Sequence, residues 1–365
     1  MSRRTVYFVI LPASIAVFLL CFSCHVSIST RSTSTKTPKI SGKETTVQIP
    51  VFIEGNLPLK GISGLAWYNE TLIMLPRYPG THSSPKVFTI QKVDILKSIA
   101  DVSPEPIQVM TADLVDDGTE EGIDGFEGYE AIAFHGKHVY MTIKARSGDT
   151  TNSYIVSGET GAGLNSIRLK PSTIRKIPPQ TTIPGISYTS LFVVDNEVVV
   201  INEANGDHVN KEPSAHIFDT SATLIRTIGY PPVEYRITDV CEPDTYERFW
   251  AINTYDPTRE NTLKPGTDIL SLKYGKAVSC ESTVERIVEF QFNTIGISWT
   301  STPPIILEPA KDNTTHKWEG LARLDDKGFL LITDSESSTI LAFVPKPGEK
   351  PDLVIVKANN HRKDI

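Results

Sequence analysis

The sequence predicts an all-β fold, a β-propeller with five blades favoured and six as the alternative. Three observations predict it. Short runs rich in Val, Ile, Tyr, Phe and Thr recur between clusters of Gly, Asn, Asp and Pro, which is the signature of many short strands. Long amphipathic helical patterns are scarce, and Val93 to Ala100 is the best short helix candidate. Five of the strand-like runs share one internal pattern at unequal intervals, as blades with variable outer loops would.

The chain opens on Ser2-Arg3-Arg4, followed by the apolar run Val6 to Phe22 and by Cys24. A basic start before an apolar stretch of this size reads as a secretory leader or a membrane anchor. Residues 1–26 are therefore expected to be a signal peptide or an N-terminal anchor. A lipid-modified Cys24 is the third outcome, although Cys21-Phe22-Ser23 lacks the usual leucine. Residues 27–46, rich in Ser, Thr and Lys, are expected to form a disordered stalk, and residues 47–360 the propeller. The chain is thus expected to be secreted or extracytoplasmic, with its N-terminal segment as the only membrane contact. Asn69-Glu70-Thr71 and Asn313-Thr314-Thr315 are glycosylation sequons.

Each repeat begins with an oxygen-bearing residue, runs through a small or apolar strand, turns, and returns as a second apolar strand with a polar exit. The first copy is Ser63 to Trp67, then Thr71 to Leu75, leaving through Pro76-Arg77-Tyr78. The second is Glu130 to Phe134, then His138 to Ile143, leaving through Lys144-Ala145-Arg146. The third is Thr189 to Val193, then Val198 to Ile201, leaving through Asn202 to Asn205. The fourth is Asp239 to Glu242, then Arg248 to Ile252, leaving through Asn253-Thr254. The fifth is Glu319 to Arg323, then Phe329 to Ile332, leaving through Thr333-Asp334-Ser335. Third strands are expected at Lys86 to Ile90, Ser153 to Val156, Ala215 to Phe218, Ile269 to Lys273 and Thr339 to Phe343. A degenerate sixth blade could occupy Val284 to Trp299. A β-sandwich would not explain an oxygen at the same place in every copy.

The 365 residues are 22% charged and 39% hydrophobic, with a net charge of −7. That leaves ample apolar surface for a core and no basic footprint for nucleic acid. Outside the leader only Cys241 and Cys280 remain. One disulfide or a buried Cys241 thiol are both open, and no Cys/His spacing suggests zinc.

In a propeller the first strand of each blade lines the central channel, so Ser63, Glu130, Thr189, Asp239 and Glu319 would form a ring. Three carboxylates in a narrow channel repel one another, and an all-oxygen donor set suits a hard cation. Ca²⁺ is the expected cofactor. A second acidic cluster holds Asp113, Asp116, Asp117, Glu120, Glu121, Asp124, Glu127 and Glu130. It fails the EF-hand pattern at Val115 and Asp124. It reads as a solvated loop or as a loop over the metal face. The polar exits Arg77, Lys144, Arg146, Glu203, Asn205, Asn253, Tyr255 and Asp334 would rim the same opening. Arg77, Lys144 and Arg146 could clamp a small anionic substrate while Glu203 or Asp334 orients a water. No nucleophile elbow, HExxH or Walker loop is present, and His135 and His138 flank a turn.

The motifs Asp116-Asp117-Gly118, Tyr129-Glu130-Ala131-Ile132-Ala133, Asp239 to Trp250 and Trp318-Glu319-Gly320-Leu321, with Ser63, make the chain resemble the calcium-activated nucleotidase (apyrase) family. The short strand openings are also similar to bacterial phytase-like and esterase-like propellers. The resemblance implies five blades, one central calcium and hydrolysis of nucleoside phosphates outside the cytoplasm. The chain departs from that pattern at Leu75-Pro76-Arg77, at Asp239 in place of Glu, and at Thr189. The expected function is a calcium-dependent phosphohydrolase. The alternatives are a non-catalytic propeller with a structural calcium and a metal-dependent esterase or lactonase.

Overall fold

The computed structural model describes residues 43–53, 58–81, 84–257, 261–275, 283–310, 315–335 and 337–347. The leader, residues 27–42 of the expected stalk, Cys280 and the Asn313 sequon lie outside them. Among the described residues no helix is long and apolar enough to cross a membrane.

The strands form a five-bladed β-propeller. The inner strands are Ile62–Tyr68, Phe126–His135, Ser190–Val194, Val233–Val240 and Trp318–Leu324. Each touches the next in chain order, and the fifth touches the first, so the ring is closed. Within every blade the inner strand pairs antiparallel with a second strand, and that with a third. The first hairpin of each blade turns through a residue at positive φ: Asn69, Gly136, Asp195 with Asn196, Glu247 and Asp325. Asn, Asp and Gly tolerate that region best, which is why the sequence breaks its strands at these points.

The apolar core lies between blades. One cluster joins Ile73 and Leu75 of the first blade to Ile132 and Met141 of the second. Others join the second to the third, the third to the fourth, the fourth to the fifth and the fifth to the first. Alternate residues of one strand face opposite neighbours, so strands such as Thr71–Pro76, buried on both faces, read as continuous apolar runs. Phe192, Phe249 and Phe290 stack through the third seam with centroids 4.7 and 5.5 Å apart.

The last blade is completed from the other end of the chain. Val47–Ile49 pairs antiparallel with Leu341–Pro345, Val47 opposite Phe343. Sheet pairing begins before the expected stalk ends, because Lys43–Glu44 runs parallel to Ile305–Leu307.

Two expectations are corrected here. Val284–Asn293 and Gly296–Trp299 are the third and fourth strands of blade four, not a sixth blade. Ile269 to Lys273 is not that third strand but lies in the helix Ile269–Tyr274. Asp268 caps it, accepting the backbone N–H groups of Leu270 and Ser271. The helix Lys92–Ala100 is as expected.

Candidate active site

The five inner strands bring the leading residues of the sequence repeats together at the axis, but the ring is not a set of free oxygens. Ser63 Oγ donates to the Leu75 carbonyl at 3.3 Å, and Thr189 Oγ1 donates to that of Ile237 at 2.9 Å. Asp239 is buried and accepts the Leu321 N–H at 2.7 Å. Burial pushes its carboxyl well up, although the N–H groups of Leu321, Val240 and Leu65 favour its charged form. Asp239 thus ties its own strand to the inner strands of blades five and one. Thr189 and Asp239 tie neighbouring blades together, while Ser63 bonds within its own blade.

The remaining two, Glu130 and Glu319, meet arginines. The Arg77 guanidinium pairs with Glu130 and lies 3.0 Å from Asp334. The Arg236 guanidinium pairs with Glu203 and, from the same nitrogen, lies 3.7 Å from Glu319. Two cations therefore stand among four carboxylates supplied by three blades. Burial pushes the Glu319 carboxyl up to about 8, against the pull of Arg236 and Arg77, with Glu203 and Glu130 adding to the rise. Burial also raises Glu130, with Arg77 and Lys144 opposing it. Burial thus favours the protonated form of Glu319, while Glu203 is ion-paired with Arg236.

Local structure explains the placement. Arg77 enters beside Gly128, which has φ of 114° in a bulged stretch of the second blade. A Cβ there would lie 2.5 Å from Arg77 Cγ, so only glycine admits the arginine. Glu203 is held by the Ser187 N–H, 3.2 Å from Oε2. Behind Arg236, Asn253 donates to its carbonyl at 3.1 Å and accepts from Arg286 at 2.7 Å. Arg286 in turn grips Asp268 with bonds of 2.8 and 3.0 Å. The arginine's backbone is thus braced by a buried network ending at the helix cap.

Glu203, Arg236, Glu319 and Asp334 floor an open cavity of about 360 Å³ whose walls include Thr254 and Lys317. Its size suits a small polar molecule.

Of the expected rim, Arg77, Glu203 and Asp334 come together at the axis. Lys144 is half-buried and acts on Glu130 through its charge. Arg146 does not join them. It is exposed and pairs with Glu127, because His138–Ser147 runs on past Lys144 and carries Arg146 outward. Asn205 is buried, donating to the Asn202 carbonyl at 2.6 Å, and Tyr255 stacks on Tyr235 with centroids 4.9 Å apart. Within the acidic cluster Asp117 pairs with Arg168 and Glu127 with Arg146 at the edge of blade two. No group of three or more metal-binding side chains occurs among the described residues. The donor set of the ring does not fit calcium, since its carboxylates already hold guanidinium groups and backbone N–H groups. Sequence reasoning missed Arg236. Its signal is a basic residue in the strand-like alternation Val233–Val240, three residues upstream of Asp239, which opens the sequence repeat.

No family model and no curated protein matches the chain. Solved structures similar to it include a glycoside hydrolase of the mannoside phosphorylase family that targets β-1,2-mannosidic linkages in Candida mannan. It is 11% identical, with 85% of this chain and 96% of that one covered and a TM-score of 0.45. A Cellvibrio cellulosa α-L-arabinanase is 8% identical, with 79% and 91% covered and a TM-score of 0.44. An exo-1,5-α-L-arabinanase from a bovine ruminal metagenomic library is 7% identical, with 79% and 92% covered and a TM-score of 0.42. These are glycoside-acting proteins, and the resemblance to calcium-activated nucleotidases and phytase-like propellers is corrected accordingly. The expected calcium-dependent phosphohydrolase is withdrawn with it.

Proposed function

We propose that the axial cavity cleaves glycosidic bonds by acid–base catalysis. The observation that carries this reading is the convergence of two carboxyl groups, Glu319 and Glu203, on one guanidinium nitrogen at an open cavity, with burial favouring the protonated form of Glu319. A pair of carboxyl groups, one of them favoured in its acid form, is what acetal hydrolysis requires. Glu319 protonates the leaving oxygen, and Glu203 acts on the opposite side as base or nucleophile. Arg236 holds both in place. Arg77 holds Glu130 and Asp334, and Asp334, with Thr254 and Lys317 on the cavity wall, binds sugar hydroxyls. The basic and apolar leader and the Asn69 sequon support an extracytoplasmic setting.

The test is hydrolysis of a panel of nitrophenyl glycosides and of arabinan and β-mannan oligosaccharides by the wild type, Glu319→Gln and Glu203→Gln. The expected result is turnover on one class, with a basic limb near pH 8, and a loss of about 10²- to 10⁴-fold in each variant. Turnover unchanged in both folded variants, or none on any substrate, overturns the reading. A second reading is a non-catalytic binding propeller, favoured by the arginine contacts of Glu130, Glu203, Glu319 and Asp334. It predicts saccharide binding without turnover. Added calcium is a further arm: activity that strictly needs it would restore the cation to the axis.

A further inference from the structure

Glu319 sits in a β-bulge. Trp318 pairs with Thr333 and Gly320 with Ile332, which leaves Glu319 as the extra residue between them. A bulge re-aims the side chain it carries and interrupts the ladder that would fix it. Strand pairing alone therefore does not hold Glu319, and the residues just before it supply the hold.

Lys317 has φ of 59°, a region that residues with a Cβ rarely adopt. The kink is tied down on both sides. The Lys317 carbonyl accepts the Asp334 N–H at 3.0 Å. The Trp318 carbonyl accepts the Thr238 hydroxyl of blade four at 2.7 Å. On the other side His316 is gripped by Glu285, from the third strand of blade four. The His316 N–H donates to Oε1 at 2.7 Å, and its ring Nδ1 bonds Oε2 at 2.9 Å. A carboxylate only accepts, so Nδ1 carries the proton there. The Glu285 side chain is 1% exposed, and it lies opposite Thr254 in the sheet. The imidazole stacks on the Trp318 indole, with centroids 5.0 Å and planes 25° apart. Thr315 and Lys317, the two neighbours of His316, line the axial cavity, whereas Glu285 and His316 do not.

We propose that Glu285 and His316 are positioning residues. Through the stack on Trp318 they fix the bulge that aims Glu319 at Arg236. The anchor belongs to blade four, and the segment it grips opens blade five, so the acid is set by the seam between them. This inference rests on the reading of Glu319 as the acid. The charged groups that face Glu319 are Arg236, Arg77, Glu203 and Glu130, with Asp239 beside them.

The experiment is steady-state kinetics of the full chain on the glycoside it turns over, with His316→Ala, His316→Asn and Glu285→Gln. The amide of His316→Asn can donate from the place of Nδ1, and alanine cannot. Glu285→Gln keeps the volume of the buried side chain but can accept only one of the two bonds, since its amide nitrogen is a donor. It carries the same test as His316→Ala should that variant not fold. The expected result is a fall in kcat of about 10²-fold in His316→Ala and Glu285→Gln with KM nearly unchanged, and recovery of most of the loss in His316→Asn. Wild-type kcat in the folded His316→Ala protein overturns the proposal. A change confined to KM, or a His316→Asn protein no better than His316→Ala, overturns it as well. Failure of the acid reading shows differently, as no turnover by the wild type. Positioning is then decided without activity, by urea unfolding of the wild type and His316→Ala, each with and without Glu319→Gln, between pH 4.5 and 8. Loosening the bulge lets water reach Glu319, so the pH window in which it contributes stability should move down in the His316→Ala background. The same window in both backgrounds overturns the proposal. Far-ultraviolet circular dichroism and the melting temperature establish that the variants are folded.

Discussion

Glu319, the proposed acid, also carries a consequence for stability. Its ordinary value is 4.5, and burial beside Glu203 and Glu130 takes it to about 8 despite two arginines. Between those values the folded chain keeps a proton that the unfolded chain has released. Stability contributed by this group is therefore complete below about pH 4.5 and is lost as pH rises through 8. Glu319→Gln cannot ionise. The expected outcome is that the wild type loses several kcal/mol of stability relative to the variant across that window, since each pH unit between the two values is worth about 1.4 kcal/mol. Urea unfolding of both proteins at several pH values checks it, and a constant difference between them would mean that Glu319 is ionised when folded. The axial position of Glu319 is legible in the sequence, as are those of Ser63, Glu130 and Asp239, because each leads one copy of the sequence repeat, although Glu130 and Asp239 lie inside strands that begin earlier. Their partners are not legible. Charge repulsion in the ring suggests a demand for a cation, and the fold meets it with Arg77 and Arg236 instead. Arg236 reaches Glu203 from a different blade, and no local spacing records a contact of that kind.

Neighbouring inner strands approach closely where the sequence places small residues, and this sets how strands assemble into blades. Gly320 lies at the seam between blades five and one. A Cβ there would come within 2.5 Å of Ile332 Cγ2, 2.8 Å of Leu65 Cγ and 3.1 Å of the Leu65 backbone nitrogen. The Ile332 methyl could turn away, but the Leu65 backbone could move only with its strand. Gly320→Ala is therefore expected to cost about 1 to 3 kcal/mol through overpacking. Because Glu319 is the preceding residue, the same change should also weaken turnover. A thermal melt checks the first effect. A melting temperature unchanged from wild type would mean that the seam has slack. Strand runs and turns are readable because period-two burial and positive-φ residues are local signals. Blade four misleads for the same reason. Ile269 to Lys273 is short, apolar and ambiguous by pattern alone, and Asp268 decides in favour of helix by capping it. The true third strand, Val284–Asn293, lies beyond that insertion, where its sequence resembles a blade of its own.

At the scale of the whole molecule the ring closes only because residues far apart in sequence share a blade. Blade five supplies three strands from the end of the chain, and Val47–Ile49 supplies the fourth, burying Ile49 against the seam with blade one. The closure is not legible in the sequence. Val47 to Ile49 is too short to announce itself as a strand and adjoins a polar tract that reads as stalk. Without this strand Leu341–Pro345 becomes an unpaired edge, and the fifth seam loses apolar cover. Edges of that kind template association with other chains. Removing residues 1–50 is expected to lower stability by about 3 kcal/mol or more, from the buried isoleucine and the lost ladder bonds. For a chain of this size that corresponds to a fall in melting temperature of roughly 4 to 5 °C or more, with aggregation above the transition. A synthetic peptide spanning residues 43–53 should restore much of the loss by adding back as a strand, and a scrambled peptide should not. A truncated protein that melts as the full chain does would show that the first and last blades hold each other without the N-terminal strand. The ring would then owe its closure to the Gly320 seam and to Asp239, which accepts N–H groups from Leu65 of blade one and Leu321 of blade five.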